Sequence, residues 1–299
     1  MARALETPSV ATPAPRTARL SRAWRRRLWA TLALVVIAAG AIVVTLPLAW
    51  MISTSLKKST EVFVLPPRWI PPNPQWGNYK TVFESASFGR YFLNSAIVTG
   101  STVFGTLLSC SLAAYAFARL RFPGRNLIFV MLLSTLMLPA TVTIVPRFIV
   151  FEQLDWLNSF KPLIVPSFFG NAFNIFLLRE FFRTIPNDLE DAARLDGAST
   201  LRIFATIVLP LSKPALVTVA LFSFINSWND FFNPLLYLSS EEKYTIAIGV
   251  INFTGSNRVG PQMHLLMAAS FLATVPVLIV FFIAQRQFVK GIVFSGLKG

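Results

Sequence analysis

Long apolar runs separated by short basic or proline-rich stretches dominate the chain. Residues 28–56, 91–118 and 126–146 carry no charged side chain, and neither does the run between His264 and Gln285. About 20 helical residues cross a hydrocarbon core, and a helix satisfies its own backbone in lipid, so each run predicts a spanning helix. Residues 162–178 are slightly short, but Phe181 and Phe182 extend that run past Arg179 and Glu180. Residues 214–240 form a sixth run, interrupted by Asp230 alone. A weaker segment, 244–253, is too short to span and reads as an extramembrane or re-entrant piece. The expectation is an all-α membrane protein of six transmembrane helices.

Composition agrees with this pattern. Charged residues make up 13% of the 299 residues and apolar ones 54%, with a mean hydropathy of +0.60. Soluble domains carry roughly 25% charge. A net charge of +14 raises the question of nucleic acid, yet the basic residues do not gather with aromatic groups on one compact face. They flank the apolar runs, where the preference of Lys and Arg for the cytoplasmic side explains them. With the N-terminus inside, eighteen of the 27 Lys and Arg residues fall on the cytoplasmic side, including the run Arg25-Arg26-Arg27. Six spans return the C-terminus to the same side, so N-in and C-in is the expected topology.

The chain then divides into a basic, disordered cytoplasmic tail (1–27), a first span with an external proline-rich loop (28–90), a transmembrane core (91–286) and a cytoplasmic C-terminal tail (287–299). The Arg run and first span resemble a signal peptide, but the span far exceeds a 7–15-residue apolar region and no convincing small-residue cleavage site follows. It reads as a retained anchor.

The most informative stretch is the loop 186–214 on the cytoplasmic side. Leu189, Ala192 and Ala193 recur at helical spacing, with Glu190, Asp191 and Arg194 elsewhere on the helix. Gly197 suits the left-handed residue that ends it. Ser199 or Thr200 can cap a second helix that runs through Ile203 and Ile207 to Pro210. A helix–glycine–helix elbow, small and apolar on one side, suits docking into a partner's groove.

Asp191-Ala192-Ala193, three residues, Gly197, nine residues and Ile207-Val208-Leu209-Pro210 together resemble the EAA loop of ATP-binding-cassette (ABC) importer permeases. That pattern reads Glu-Ala-Ala, three residues, Gly, nine residues, Ile-x-Leu-Pro. One position departs, since Asp191 stands where the family has Glu. Asp191 keeps the carboxylate on a shorter arm, or Glu190 takes over the contact; both readings stand. Asn78-Tyr79, Asn94-Ser95, Trp228-Asn229-Asp230-Phe231, Leu209-Pro210-Leu211-Ser212-Lys213-Pro214 and the ending Leu297-Lys298-Gly299 are similar to the carbohydrate-uptake subfamily, in particular the smaller second permease of maltose-type systems.

The resemblance implies a type I importer permease fold in the bacterial cytoplasmic membrane and import of a mono- or oligosaccharide, with a glycerol phosphate or related sugar-phosphate as the alternative. It implies a second homologous permease subunit, two ATP-binding subunits and an extracytoplasmic solute-binding protein as partners. ATP and Mg belong to the partner ATPase, and this chain needs no cofactor of its own. The residues implied for ATPase coupling are Glu190, Asp191, Ala192, Ala193, Asp196, Gly197 and Pro210.

Asn94, Asn226, Asn229 and Asp230 are the candidate lining of a translocation pathway. For Asp230 the pathway stands beside a packing role at the outer interface; the stripe of Asn94, Ser95, Thr99 and Ser101 equally serves helix packing. His264 stands without metal-ligand company, and no glycine-rich phosphate loop with Lys occurs in the sequence. An ion-coupled carrier would carry more intramembrane ionisable groups than Asp230.

Overall fold

The computed structural model describes residues 17–85, 87–254 and 262–295. Most of the N-terminal tail (1–16), Arg258 and the ending Leu297-Lys298-Gly299 lie outside them. The described residues are helices and turns without a strand: α1 (Thr17–Ser55), α2 (Gly77–Ser85), α3 (Phe88–Arg119), α4 (Arg125–Ser134), α5 (Ile144–Gln153), α6 (Lys161–Ile164), α7 (Ala172–Arg183), α8 (Asn187–Leu195), α9 (Thr200–Ile203), α10 (Leu209–Leu211), α11 (Lys213–Trp228), α12 (Phe232–Tyr237), α13 (Ile246–Ile251) and α14 (Met263–Ser295).

Residues up to Trp50 form a unit of their own. This is the bulk of α1, whose 39 residues measure roughly 58 Å at 1.5 Å per residue. Its side chains from Trp24 to Pro47 are exposed, as an apolar helix built for lipid or another helix requires.

From Met51 onward the chain packs around two apolar clusters. One joins Cys110, Ala114 and Tyr115 of α3 to Leu178 and Phe182 of α7, Ile203 and Val208 of the elbow, and Val219 of α11. The other joins Val82, Phe88 and Tyr91 to Trp228, Ile246, Ala268 and Ala269. The α3 helix runs through both and is the spine of the bundle. Asn78 fastens α2 to the end of α1 by donating to the carbonyls of Ser55 (2.7 Å) and Lys57 (3.0 Å), which lack partners past a helix end. Lys57 itself is buried; that burial lowers its pKa, against the pull of Glu61.

Four helical segments are long and apolar enough to cross a membrane: Trp24–Ser55, Phe88–Arg119, Lys161–Arg183 and Met263–Gln285. Two expected spans are not straight. The run 126–146 breaks at Leu138 and Pro139, and Arg125–Met137 turns by 96° into Ala140–Gln153. Pro139 has no N–H to continue the helical ladder and disfavours helical geometry at the residue before it. The run 214–240 is likewise not one helix. Its first part, α11, ends at Trp228 after 16 residues; α12 follows a turn at 229–231. Among helices α11 reaches spanning length only together with Thr200–Leu211, from which it bends by 80°. The segment 244–253 is neither span nor loop alone, because α13 packs against the start of α3.

Candidate functional site

The elbow follows from its local chemistry. Asp188 and Glu190 lie in the first turn of α8 and Arg194 in the last, the arrangement the helix dipole favours. Gly197 ends it at φ +79°. Its N–H reaches the Arg194 carbonyl at 3.0 Å, and that of Ala198 reaches Ala193 at 2.9 Å, the paired bonds of a Schellman motif. Ser199 then accepts from the Arg202 N–H at 3.4 Å and caps α9. The second helix does not stop at Pro210. It widens into a π turn over Phe204–Val208, where the Leu209 N–H bonds to the Phe204 carbonyl, and continues to Leu211. Pro210 offers no N–H and crowds the carbonyl four residues back; a π turn absorbs that misfit.

The structure separates the adjacent acids Glu190 and Asp191 of α8. Glu190 is buried. Its Oε1 lies 3.0 Å from Arg119 Nε, with the two side chains 3% and 7% exposed. These two atoms form an ion pair without hydrogen-bond alignment. On the other carboxylate oxygen, Tyr115 donates at 3.4 Å and Arg194 at 3.3 Å. The Glu190–Arg194 pair is therefore anchored inside the protein rather than exposed at both ends. Asp191 faces water and holds only Arg194, at 3.0 Å. Of the two neighbouring acids, Glu190 faces inward and Asp191 stays in water. Leu189, Ala192, Asp196 and Gly197 are exposed beside it, and Leu195 is 90% exposed. Ala193 packs inward instead, against the core, so the expected face of Leu189, Ala192 and Ala193 is split between solvent and interior.

A second feature is a cavity of about 590 Å³ between α3, the 163–174 segment and α11. Thr102, Thr106, Ser167, Asn171, Asn174 and Asn226 line it, with Arg147, Asp230 and Asn233 also bordering it. Gly105 lets α3 come against Ser167 and Phe168 beside this cavity, where no Cβ would fit. Asp230 accepts from the Asn233 backbone N–H (3.2 Å) and side-chain amide (2.8 Å) and so starts α12.

Of the four pathway candidates, Asn226 and Asp230 lie here. Asn229 is exposed and lies outside the lining. Asn94 lies away from the cavity and is not free to line it, since its amide donates to the carbonyls of Glu242 and Tyr244, both at 2.9 Å. Beside it, Ser95 accepts from the Ile246 N–H at 2.8 Å, and together they bind the start of α13 to α3. Further along, Thr99 takes a bond from Ser227 at 3.2 Å. Asn94, Ser95 and Thr99 thus each hold a hydrogen bond to another segment.

Arg119 and Tyr115 were not singled out by the sequence as site residues, although their i,i+4 spacing on one face of α3 is a readable signal. Arg147, Asn171, Asn174 and Asn233 were also missed; polar residues inside apolar runs are the mark they leave. Among the described residues, no group of three His, Cys, Asp or Glu side chains could hold a metal ion.

Apolar helices of spanning length, a polar cavity between them and a water-facing elbow tied to the bundle define a membrane permease. The chain matches the family described as binding-protein-dependent transport system inner membrane component over residues 14–293 and belongs to it. It is 36% identical over 267 residues to the sn-glycerol-3-phosphate transport system permease protein of Pectobacterium atrosepticum, covering 87% of this chain and 95% of that one. It is 34% identical over 251 residues to the diacetylchitobiose uptake system permease protein of Streptomyces coelicolor, covering 82% of each. In fold it is similar to a chain of a bacterial ABC transporter that imports the acidic polysaccharide alginate, with a TM-score of 0.77 at 24% identity over 92% of this chain and 99% of that one.

Proposed function

We propose that this permease sits in the bacterial cytoplasmic membrane with six spans and both termini inside, the bent segment 125–153 and the run 214–240 completing the set. It pairs with a second, homologous permease on two ATPase subunits, and an extracytoplasmic binding protein delivers solute. The elbow faces the cytoplasm, and the exposed edge of α8 with Asp191, Leu195 and Gly197 docks into a groove of an ATPase. Closure of the ATPases around ATP moves the elbow and turns the bundle outward; the return releases solute inside. No covalent chemistry occurs on the solute.

The observation that carries this reading is the division of α8 into a buried Glu190 and an exposed edge stopped by Gly197. A carboxylate and an apolar knob held in water on a firmly anchored helix suit a partner surface. Simultaneous replacement of Asp191 and Gly197 should abolish ATP-driven uptake while the subunit still inserts. Unchanged uptake in that variant would overturn the docking assignment.

The solute is a sugar. Amides and hydroxyls that both donate and accept line the cavity with one carboxylate, which suits a neutral hydroxylated molecule. A glycerol phosphate is the second reading, favoured by the 36% identical relative and by Arg147 at the cavity.

A further inference from the structure

Arg119 does more than balance one charge. It ends α3, the spine of the bundle, and its guanidinium reaches three other segments. One nitrogen pairs with Glu190 in the middle of α8. A second donates to the Asn187 side chain in the first turn of α8. The third donates to the Phe182 carbonyl at the end of α7 and to that of Ile185 in the connection onward, both at 2.5 Å. Tyr115, one turn earlier on α3, donates to the same Glu190 carboxylate, and its ring lies 5.1 Å from that of Phe204 in the π turn. Among the described residues, little else polar ties α8 to the bundle. Asp191, Ala192, Leu195 and Asp196 are exposed, and Ala193 supplies the apolar contact.

A planar five-donor fork that holds helix-end carbonyls and a carboxylate at once is a rigid joint, and Lys could not reproduce it. A buried pair of this kind does not yield gradually. Removing one member leaves an unpaired charge inside, so the helices it joins move together or part altogether.

We infer that Arg119 is the positioning residue that makes the elbow helix and the end of span α3 one moving body, converting displacement of α8 into rotation of the bundle. The adjacent acids of α8 thus divide the work: Asp191 faces the partner, and Glu190 takes the load inward. This rests on the permease reading given above.

The test uses the assembled transporter in proteoliposomes. In Arg119→Met and Glu190→Gln, ATP hydrolysis stimulated by loaded binding protein persists, while solute taken up per ATP falls by about ten-fold. Arg119→Lys is intermediate, because it keeps the charge and loses the fork. A wild-type ratio in assembled Arg119→Met overturns the inference.

A second measurement decides the matter if these variants fail to assemble. Spin labels at Leu112→Cys on α3 and Asp188→Cys on α8, both exposed positions, are placed in otherwise unaltered protein. Their separation should stay the same between nucleotide-free and ATP-bound complexes; a shift of several ångströms overturns the inference. Absence of ATP-dependent uptake by the unaltered transporter would instead refute the permease reading, and the label distance would still report on the joint.

Discussion

Glu190 and Asp191, neighbours in the sequence, differ sharply in exposure on α8: the first is 2% exposed, and the second keeps 64% of its side chain in water. A helix advances 100° per residue, so one acid braces the bundle while the next stays in water.

Stability and transport should therefore separate between these two positions. Glu190→Gln strands the Arg119 guanidinium in the interior, a loss of about 3–5 kcal/mol when a buried pair is broken. Its melting temperature in detergent should fall steeply. Asp191→Ala removes only an exposed contact to Arg194, worth up to about 1 kcal/mol, so its melting temperature should barely move while ATP-driven uptake is lost.

Gly197 isolates a backbone effect. A Cβ there would meet nothing within 4 Å, so Gly197→Ala introduces no clash. The left-handed conformation alone costs about 1–2 kcal/mol. Thermal unfolding should register that penalty, and Gly197→Asn, which tolerates the conformation better, should recover part of it.

Asn94 is a structural tie. Asn94→Ala leaves the Glu242 and Tyr244 carbonyls without their donors, at about 0.5–1.5 kcal/mol for each hydrogen bond lost. Amide exchange across 241–251 should accelerate, and solute affinity of the transporter should stay as in the unaltered protein.

Asp230 joins a cap to a cavity. Asp230→Ala should lose about 1 kcal/mol with the capping bond. Asp230→Asn keeps an acceptor and removes the charge, so it should retain sugar uptake. If the solute is a phosphate ester instead, Asp230→Asn should raise uptake, because a repelling carboxylate has gone.

Four long apolar helices, the elbow, the stop at Gly197 and the cap at Ser199 were legible because each is written in local period or turn chemistry. The inward turn of Glu190 was not, since its partner Arg119 lies 71 positions away and only the folded bundle brings the two together. Asn94 stayed open between pathway and packing for the same reason, as a polar residue on a spanning helix looks the same whether it faces solute or a backbone carbonyl. The bend at Pro139 and the helix end at Trp228 escaped because an apolar run reports burial in lipid and says nothing of continuity. Pro210 erred the other way: it reads as a stop, yet the π turn carries the helix past it.

The central claim is that the exposed edge of α8 conveys ATP-driven motion to a solute pathway. Uptake of radiolabelled solute into proteoliposomes holding the assembled transporter, with ATP enclosed, tests it most directly when the unaltered protein is compared with the Asp191→Ala/Gly197→Asn variant. The account predicts ATP-dependent uptake in the first and its loss in the second, with the variant subunit still inserted in the bilayer. Equal uptake by the two, or uptake without ATP, would contradict it.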